Sequence, residues 1–317
     1  MGKLIAGVDV GGTTIKVALF PMTGEPVCKF EIKTTVRDEE EFLWKDISSG
    51  LYAKLDELGI PRSDLAAVGM GIPGPIREDG YLSVLVNLGL FGSCYPAKEL
   101  SKLMGGIPCV AGNDANCAAM GEFAEGAAKE YKSAVFFTIG TGVGGAIVLD
   151  GNVIAGAHGT GGELGHLVVN PDEPDACNCG NHGCLEQYAS ATGLVRTANR
   201  LLQTTDIPSV FRDGRKVSCK VVCQAAEEGD PLCMEVIDTF GKYMGLICAH
   251  MVLTVDPEVI IIGGGVSRSG KLLTDAIEKH LWKHASIVTE KTPVVIAKLG
   301  NDAGVYGAAE LAKKLLK

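Results

Sequence analysis

The chain has 317 residues, 46% of them hydrophobic and 21% charged, with 42 glycines and a net charge of -9. This is the composition of a globular chain with many tight turns, long enough for two domains with separate cores. The acidic balance, without any run of lysine and arginine, excludes nucleic acid as a bulk partner, and no apolar run approaches the ~20 residues of a membrane span, so no membrane contact is expected.

The N-terminus enters a strand almost at once, without the apolar stretch and cleavage site of a signal peptide. Residues 4–20 read as strand, glycine turn and strand (LIAGVDV, GGTT, IKVALF), closed by a turn at TGEP, 23–26. A helix is predicted over 39–58, a glycine-ended strand over 66–76, a short helix over 96–104, a strand CVAG over 109–112 and a helix over 114–128. Residues 133–149 repeat the opening plan (SAVFFTI, GTGVGG, AIVL), again closed by a turn, DGN at 150–152. Helices follow over 190–202 and 231–253, then a glycine-ended strand over 258–267 and helices over 271–280 and 303–316. In the longest helix Leu232, Val236, Phe240, Tyr243 and Ile247 recur at helical spacing, and Met244, His250 and Met251 read as core residues.

Strands alternating with helices, with a hairpin opening each half, imply an α/β architecture with mixed sheets. A supersecondary unit used twice, more than 120 residues apart, implies two related domains facing each other. The boundary is placed at Gly112 and Asn113. Residues 1–112 then form a small α/β domain, with the last helix (303–317) packing back on it, and residues 113–302 form a larger α/β domain.

Of the eleven cysteines, those at 28, 94, 109, 117, 219, 223, 233 and 248 are scattered without a framework, which suits reduced thiols in a cytoplasm. Cys177, Cys179 and Cys184 instead fall within eight residues, preceded by His166. Three thiolates and one imidazole make the ligand set of a closed structural zinc site. For the stretch 156–186, rich in Gly, Asn, Asp and Pro, such a metal supplies ~10 kcal/mol or more of folding free energy. Glu163 and Glu186 flank the cluster, and Glu163 and His166 share a face in a helical turn. The stretch reads as the zinc-stiffened wall of a polar binding pocket.

Asp9 stands at a strand end before Gly11, Gly12, Thr13, Thr14 and Lys16, so bare backbone amides and threonine hydroxyls can cradle a phosphate, with Asp9 holding magnesium through water. The repeat at 140–145 suggests two hairpins clamping a polyphosphate, and the glycines at 263–265 suit a nucleoside. Neither hairpin is a P-loop or a dinucleotide fingerprint. Asn113 and Asp114 sit where a strand meets a helix, a position equally suited to an N-cap. There the helix dipole favours the ionised form of Asp114, and phosphoryl transfer tolerates a weak base. Residues 71–75 (GIPGP) form a rigid turn that either ends a strand or touches a ligand, and Asn87 is either a turn residue or a ligand.

With these residues assembled, the chain resembles the ROK family (repressor, open reading frame, kinase), and within it the bacterial glucokinases. The resemblance runs nearly end to end, through DVGGTTIK at 9–16, GIPGP at 71–75, NDAN at 113–116, GTGVGG at 140–145, GGELGH at 161–166, CNCGNHGCLE at 177–186, SATG at 190–193, GGGVS at 263–267 and GNDAGVYGA at 300–308. It implies the actin-like ATPase (ribonuclease H-like) fold and ATP-dependent phosphorylation of a hexose, glucose foremost, with fructose, allose, mannose and N-acetylhexosamines as alternatives. Asp114 then matches the catalytic base. Asn113, Glu163, His166 and Glu186 match ligands of the sugar hydroxyls, with backbone contact from Gly74. His166, Cys177, Cys179 and Cys184 match zinc ligands. Gly11 to Thr14 with Lys16, Thr141 and Gly142 to Gly145 (including Gly144), and Gly264 with Gly265 match the nucleotide side, and Asp9 the acid near magnesium. The resemblance further implies a homodimer or homotetramer. The family's sugar-responsive regulators carry a DNA-binding module before the first hairpin, for which the position of Asp9 leaves no room.

Overall fold

The computed structural model describes residues 2–34, 41–82 and 94–316. They form two compact units, Met1–Lys129 with Asn152–Gly162 and Asn301–Lys317, and Glu130–Gly151 with Glu163–Gly300. Helices α1 (Glu41–Glu57), α2 (Pro96–Leu103) and α3 (Asp114–Glu125) belong to the first. Helices α4 (Glu186–Ala189), α5 (Ala191–Thr204), α6 (Cys219–Glu227), α7 (Pro231–Val255) and α8 (Lys271–His284) belong to the second, and α9 (Ala303–Lys314) returns to the first.

The first unit is built on β1 (Leu4–Val10), β2 (Thr14–Pro21), β3 (Cys28–Lys33), β4 (Leu65–Ile72) and β5 (Cys109–Asn113), in the order β3-β2-β1-β4-β5. β1 is antiparallel to β2 and parallel to β4. Because side chains alternate across a strand, β1 serves two cores at once. Leu4, Ala6, Val8 and Val10 pack with Trp44, Ile47 and Leu51 of α1, whereas Ile5 packs with Val305, Ala309 and Ala312 of α9.

Helix α9 lies unusually close to its neighbours. A Cβ on Gly69 of β4 would fall 1.8 Å from the carbonyl oxygen of Ala308, and one on Gly307 would fall 1.7 Å from that of Cys117 in α3. Glycine at both places lets backbone rest on backbone, so α9 is wedged between the sheet and α3.

The second sheet contains β6 (Ala134–Ile139), β7 (Val143–Leu149), β8 (Asn152–Val153), β9 (Val259–Gly263) and β10 (Val294–Ile296), in the order β10-β9-β6-β7-β8. Again the first strand is antiparallel to its hairpin partner and parallel to the next crossover strand. The two sheets therefore share one topology, the structural counterpart of the repeated hairpin pattern. Helix α7 begins where Asp230 accepts a hydrogen bond from the backbone N–H of Cys233 (2.9 Å), with Pro231 at the first helical position. Its Leu232, Val236, Phe240, Met244 and Ile247 are buried in the second core. α7 is the one helix among the described residues long and apolar enough to cross a membrane, and 61% of that apolar window is buried in the protein.

The structure corrects several expectations. The boundary expected at Gly112 and Asn113 falls inside the first unit, because α3 packs against α9 and β4. His250 is exposed rather than in the core, since the neighbouring Ile247, Cys248 and Met251 turn the buried side of α7 inward. Strands β3 and β10 and helix α6 were not anticipated. Asn87 and the first two residues of the helix expected over 39–58 lie outside the described residues.

Gly307→Ala should lower stability by about 2–3 kcal/mol, because a methyl group forced against a backbone carbonyl displaces α9. An unchanged urea midpoint would contradict the backbone-to-backbone packing.

Candidate active site

In the first unit, Asp9 near the end of β1 pairs across the hairpin with Lys16. The hairpin turn is internally braced. Gly11 N–H donates to Thr14 O (3.1 Å), and Thr34 donates its hydroxyl to Gly11 O (2.8 Å) and its N–H to Thr13 O (3.1 Å). The Gly11 amide is thus committed within the turn, while Gly12 and Thr13 are exposed at its tip. Lys16 Nζ donates to Asn301 O (3.0 Å) at the approach to α9. Burial pushes the Asp9 carboxyl up to about 6, with Lys16 pulling it down and Asp114 adding repulsion. On α9, a Cβ at Gly304 would lie 2.6 Å from the Asp9 carboxyl carbon, so this glycine leaves the space that the acid occupies.

Asn113 is the N-cap of α3. Its Oδ1 accepts from Asn116 N–H (3.0 Å), and its Nδ2 donates to Gly74 O (3.1 Å). Gly74 holds φ +115°, a conformation suited to glycine. The cap and the ligand readings are therefore compatible, because the Asn113 amide keeps a second N–H and a second lone pair beyond these two bonds. Asp114 follows at the first helical position, where Oδ1 accepts from Ala115 N–H (2.8 Å). Its pKa is nevertheless raised, since burial outweighs that backbone bond. This corrects the expectation that the helix N-terminus would favour its ionised form.

In the second unit, the turn between β6 and β7 is held from several directions. Ala191 N–H donates to Gly140 O (2.8 Å), Thr192 Oγ1 to Thr141 O (2.8 Å), and Val143 N–H to Glu186 Oε2 (3.0 Å). A Cβ on Gly142 would collide with that same Glu186 oxygen at 2.1 Å. Thr141 and Gly265 border one cavity of about 590 Å³, whose further wall is α6, with Lys220, Gln224 and Glu227. Gly264 (φ +82°) turns the chain at the end of β9. Gly144 and Gly145 lie within β7, paired with Thr138 and Phe137, so their part is to build the hairpin. The α6 wall escaped the sequence reading because a nine-residue helix carries too few turns to stand out by period; Ser218, whose hydroxyl caps Val221 N–H, was the available signal.

Glu163 and His166 belong to one turn of 3-10 helix, closed by His166 N–H to Glu163 O (3.1 Å). His166 meets Cys177, Cys179 and Cys184 so closely that the four donor atoms lie within 4.8 Å of one another. The separations include 3.6 Å from Cys179 Sγ to Cys184 Sγ and 3.9 Å from Cys177 Sγ to His166 Nδ1. Tetrahedral zinc with sulfur ligands at ~2.3 Å implies edges of about 3.8 Å. Donor identity and spacing both fit zinc. Glu186 Oε1 is 4.0 Å from Cys177 Sγ, so one carboxylate touches both the cysteine cluster and the β6–β7 turn.

A second fastening was not foreseen. Glu173, its side chain fully buried, receives Arg200 through both guanidinium nitrogens (2.8 and 2.5 Å), Arg196 (3.2 Å) and the Tyr188 hydroxyl (2.5 Å). The Arg200 guanidinium is the main reason that the Glu173 carboxyl falls to about 2. Arg196 and Arg200 are four residues apart on α5 and so share a face. That spacing opposite the acidic PDEPD segment was the signal in the sequence.

A half-buried acid at one hairpin with a second at the start of α3, a glycine-turned cavity at the counterpart hairpin and an ordered cysteine cluster, on two sheets of one topology, fit a sugar kinase of the actin-like ATPase fold. The chain matches the ROK family over residues 5–315 and belongs to it. It is 39% identical over 313 residues to the glucokinase of Halalkalibacterium halodurans, covering 97% of this chain and 94% of that one. Among solved structures, the ROK hexokinase from Thermus thermophilus matches with a TM-score of 0.83 at 30% identity, covering 99% of each chain. A ROK family glucokinase from Streptomyces griseus, in complex with glucose and AMPPNP, matches with a TM-score of 0.79 at 30% identity, covering 98% of this chain and 99% of that one.

Glu173→Gln should destabilise the protein by roughly 3 kcal/mol at neutral pH, since each pKa unit is worth about 1.4 kcal/mol. A depressed carboxyl pKa stabilises above the unfolded value of about 4.3, and that contribution disappears as pH falls toward about 2. The stability difference between wild type and variant should accordingly shrink from pH 5 to pH 3; a constant difference in denaturant titrations would remove the charge as its cause.

Proposed function

We propose that the protein is an ATP-dependent hexose kinase that phosphorylates the sugar 6-hydroxyl, with glucose as its substrate. The observation that carries this reading is the half-buried acid at the start of α3: Asp114 has a raised pKa, and the capping amide beside it is fixed by Gly74. A carboxylate shifted toward neutrality is a better proton acceptor than an ordinary one. In phosphoryl transfer the hydroxyl proton leaves late, so positioning and electrostatics carry most of the catalysis.

In this mechanism Asp114 receives the proton of the 6-hydroxyl as it attacks the γ-phosphorus. Asn113 and the Gly74 backbone orient the sugar, and Glu163, His166 and Glu186 match the family's ligands of its ring hydroxyls. Thr141 and Gly265 border the nucleoside's cavity, and Gly12 and Thr13 offer the exposed amides and hydroxyl of a phosphate turn. Asp9 would hold magnesium, which when bound neutralises charge on the transferring phosphates. Zinc on His166, Cys177, Cys179 and Cys184 is structural, because four protein ligands leave no open position for a reacting water. The glucokinase relative and the glucose complex of the Streptomyces griseus enzyme support glucose as the sugar.

Rates of ATP-dependent phosphorylation across glucose, fructose, mannose, allose, N-acetylglucosamine and N-acetylmannosamine should give the highest kcat/KM for glucose. Preference for another sugar would reassign the pocket, and ATP hydrolysis indifferent to every sugar would overturn the kinase reading. Asp114→Asn should cut kcat by roughly 10²- to 10⁴-fold while sugar binding survives; near-normal turnover would take Asp114 out of the mechanism. Since Asp114 acts ionised and burial raises its pKa, the acid limb of kcat/KM should lie above the ordinary carboxylate range. An acid limb in kcat/KM confined to the ordinary carboxylate range near 4 would contradict this.

Cys179→Ala should release zinc and loosen sugar binding. A full zinc complement by metal analysis, with unchanged sugar affinity, would remove the metal assignment.

A further inference from the structure

Helix α6 carries two thiols one turn apart, Cys219 and Cys223, and both border the 590 Å³ cavity shared by Thr141 and Gly265. Neither belongs to the zinc set, and the proposed phosphoryl transfer uses neither. Cys223 is 5% exposed, so it is reached through the cavity and not from open solvent. Lys220 and Arg268 border the same cavity and supply positive charge.

We propose that Cys223 is a site of reversible thiol modification, at which a low-molecular-weight anionic disulfide of the glutathione type enters the nucleoside cavity and forms a mixed disulfide that keeps ATP out. The consequence for ATP rests on the reading of this cavity as the nucleoside's.

The surroundings of Cys223 make it the reactive thiol. Hydrogen bonds from Cys219 and from Ser269 draw its pKa down, against burial and the nearby Glu227. Cys109, Cys233 and Cys248 are instead pushed up to about 12, chiefly by burial. The thiolate is the nucleophile in exchange, so near neutral pH Cys223 reacts where those three do not.

In the reaction the Cys223 thiolate attacks one sulfur of the disulfide. The old S–S bond breaks, a new one joins Cys223 to half of the reagent, and the other half leaves as a thiolate that takes up the proton Cys223 released. The protein sulfur is oxidised and the departing half is reduced, so no further oxidant is required. Exchange stops at this stage, because Cβ atoms one helical turn apart are about 5–6 Å apart and a disulfide requires ~3.5–4.5 Å. An added monothiol reverses the modification by the same chemistry.

The test is to incubate the zinc-loaded protein with glutathione disulfide and to map adducts by mass spectrometry, with and without MgADP. One glutathionyl group on the peptide carrying Cys223 is expected, with zinc content unchanged, labelling suppressed by MgADP, and kinase activity lost in step and restored by a monothiol. Cys223→Ser should take up no adduct and keep its own untreated rate in the presence of the reagent. Cys219→Ser should slow labelling a few-fold and move its pH midpoint upward, toward the ordinary cysteine value of about 8.5. No adduct, an adduct only on the zinc cysteines, or an intramolecular Cys219–Cys223 disulfide would overturn the proposal. Labelling of Cys223 with undiminished MgADP binding would instead overturn the nucleoside reading of the cavity, leaving the thiol's reactivity established.

Discussion

The placement of the acids depends on how closely α9 can approach the rest of the first unit. Gly69 and Gly307 remove the two Cβ atoms that would otherwise stand between its backbone and those of β4 and α3. One helix then fixes a strand and a second helix: β1, which ends near Asp9, and α3, which begins at Asp114. Gly304 on the same helix leaves room for the Asp9 carboxyl itself. The GNDAGVYGA segment contains no group that need touch a ligand for this purpose; its small residues let the helix pack close to both acids. Burial in that tight packing is also what raises both carboxyls, so the geometry and the electrostatics of the pair share one cause.

The second unit solves a different problem, how to order a segment poor in apolar side chains. Three kinds of fastening converge on residues 163–187. Backbone pairing links Val168 with Cys184 and Ala176 with His182, the four donor atoms gather at zinc spacing, and the buried Glu173 is gripped by two arginines and a tyrosine of the adjoining helices. A buried carboxylate without partners would be strongly unfavourable. The Glu173 network therefore fixes the loop's docking on α5 as well as contributing stability. Glu186 lies at the end of this chain of fastenings and accepts the Val143 amide, so order in the cysteine cluster reaches the hairpin turn.

Much of this was legible in the sequence. The two glycine hairpins predicted two related mixed sheets because a strand, turn and strand plan is local, and the shared strand order bears out the repeat. The cysteine cluster was legible because a His and three Cys so close in the chain are a specific pattern, and the structure gathers their donor atoms within 4.8 Å. What escaped was decided by distant packing. The place of α3 in the first unit depends on α9, nearly 190 residues further along the chain. The raised pKa of Asp114 was not inferable from its position at a helix start, where local reasoning favours the charged form; only the packed neighbours reveal that desolvation wins. His250 was misjudged because a helix predominantly apolar in composition does not announce which side faces outward.

The two hairpins show how one topology is put to unequal use. In the first, the strand before the turn ends near an acid, the turn is braced by Thr34, and Gly12 and Thr13 are exposed. In the second, the turn is gripped by Glu186, Ala191 and Thr192, and its residues border a cavity. The first turn is left open, with Gly12 and Thr13 exposed near an acid whose carboxyl burial raises and Lys16 lowers. A cavity wall has the opposite requirement, a surface that remains ordered whether or not a nucleotide is present. Bracing by side chains meets it: Ser190 caps α5 and Thr192 holds Thr141, so the order of the cavity border depends on them as much as on the glycines.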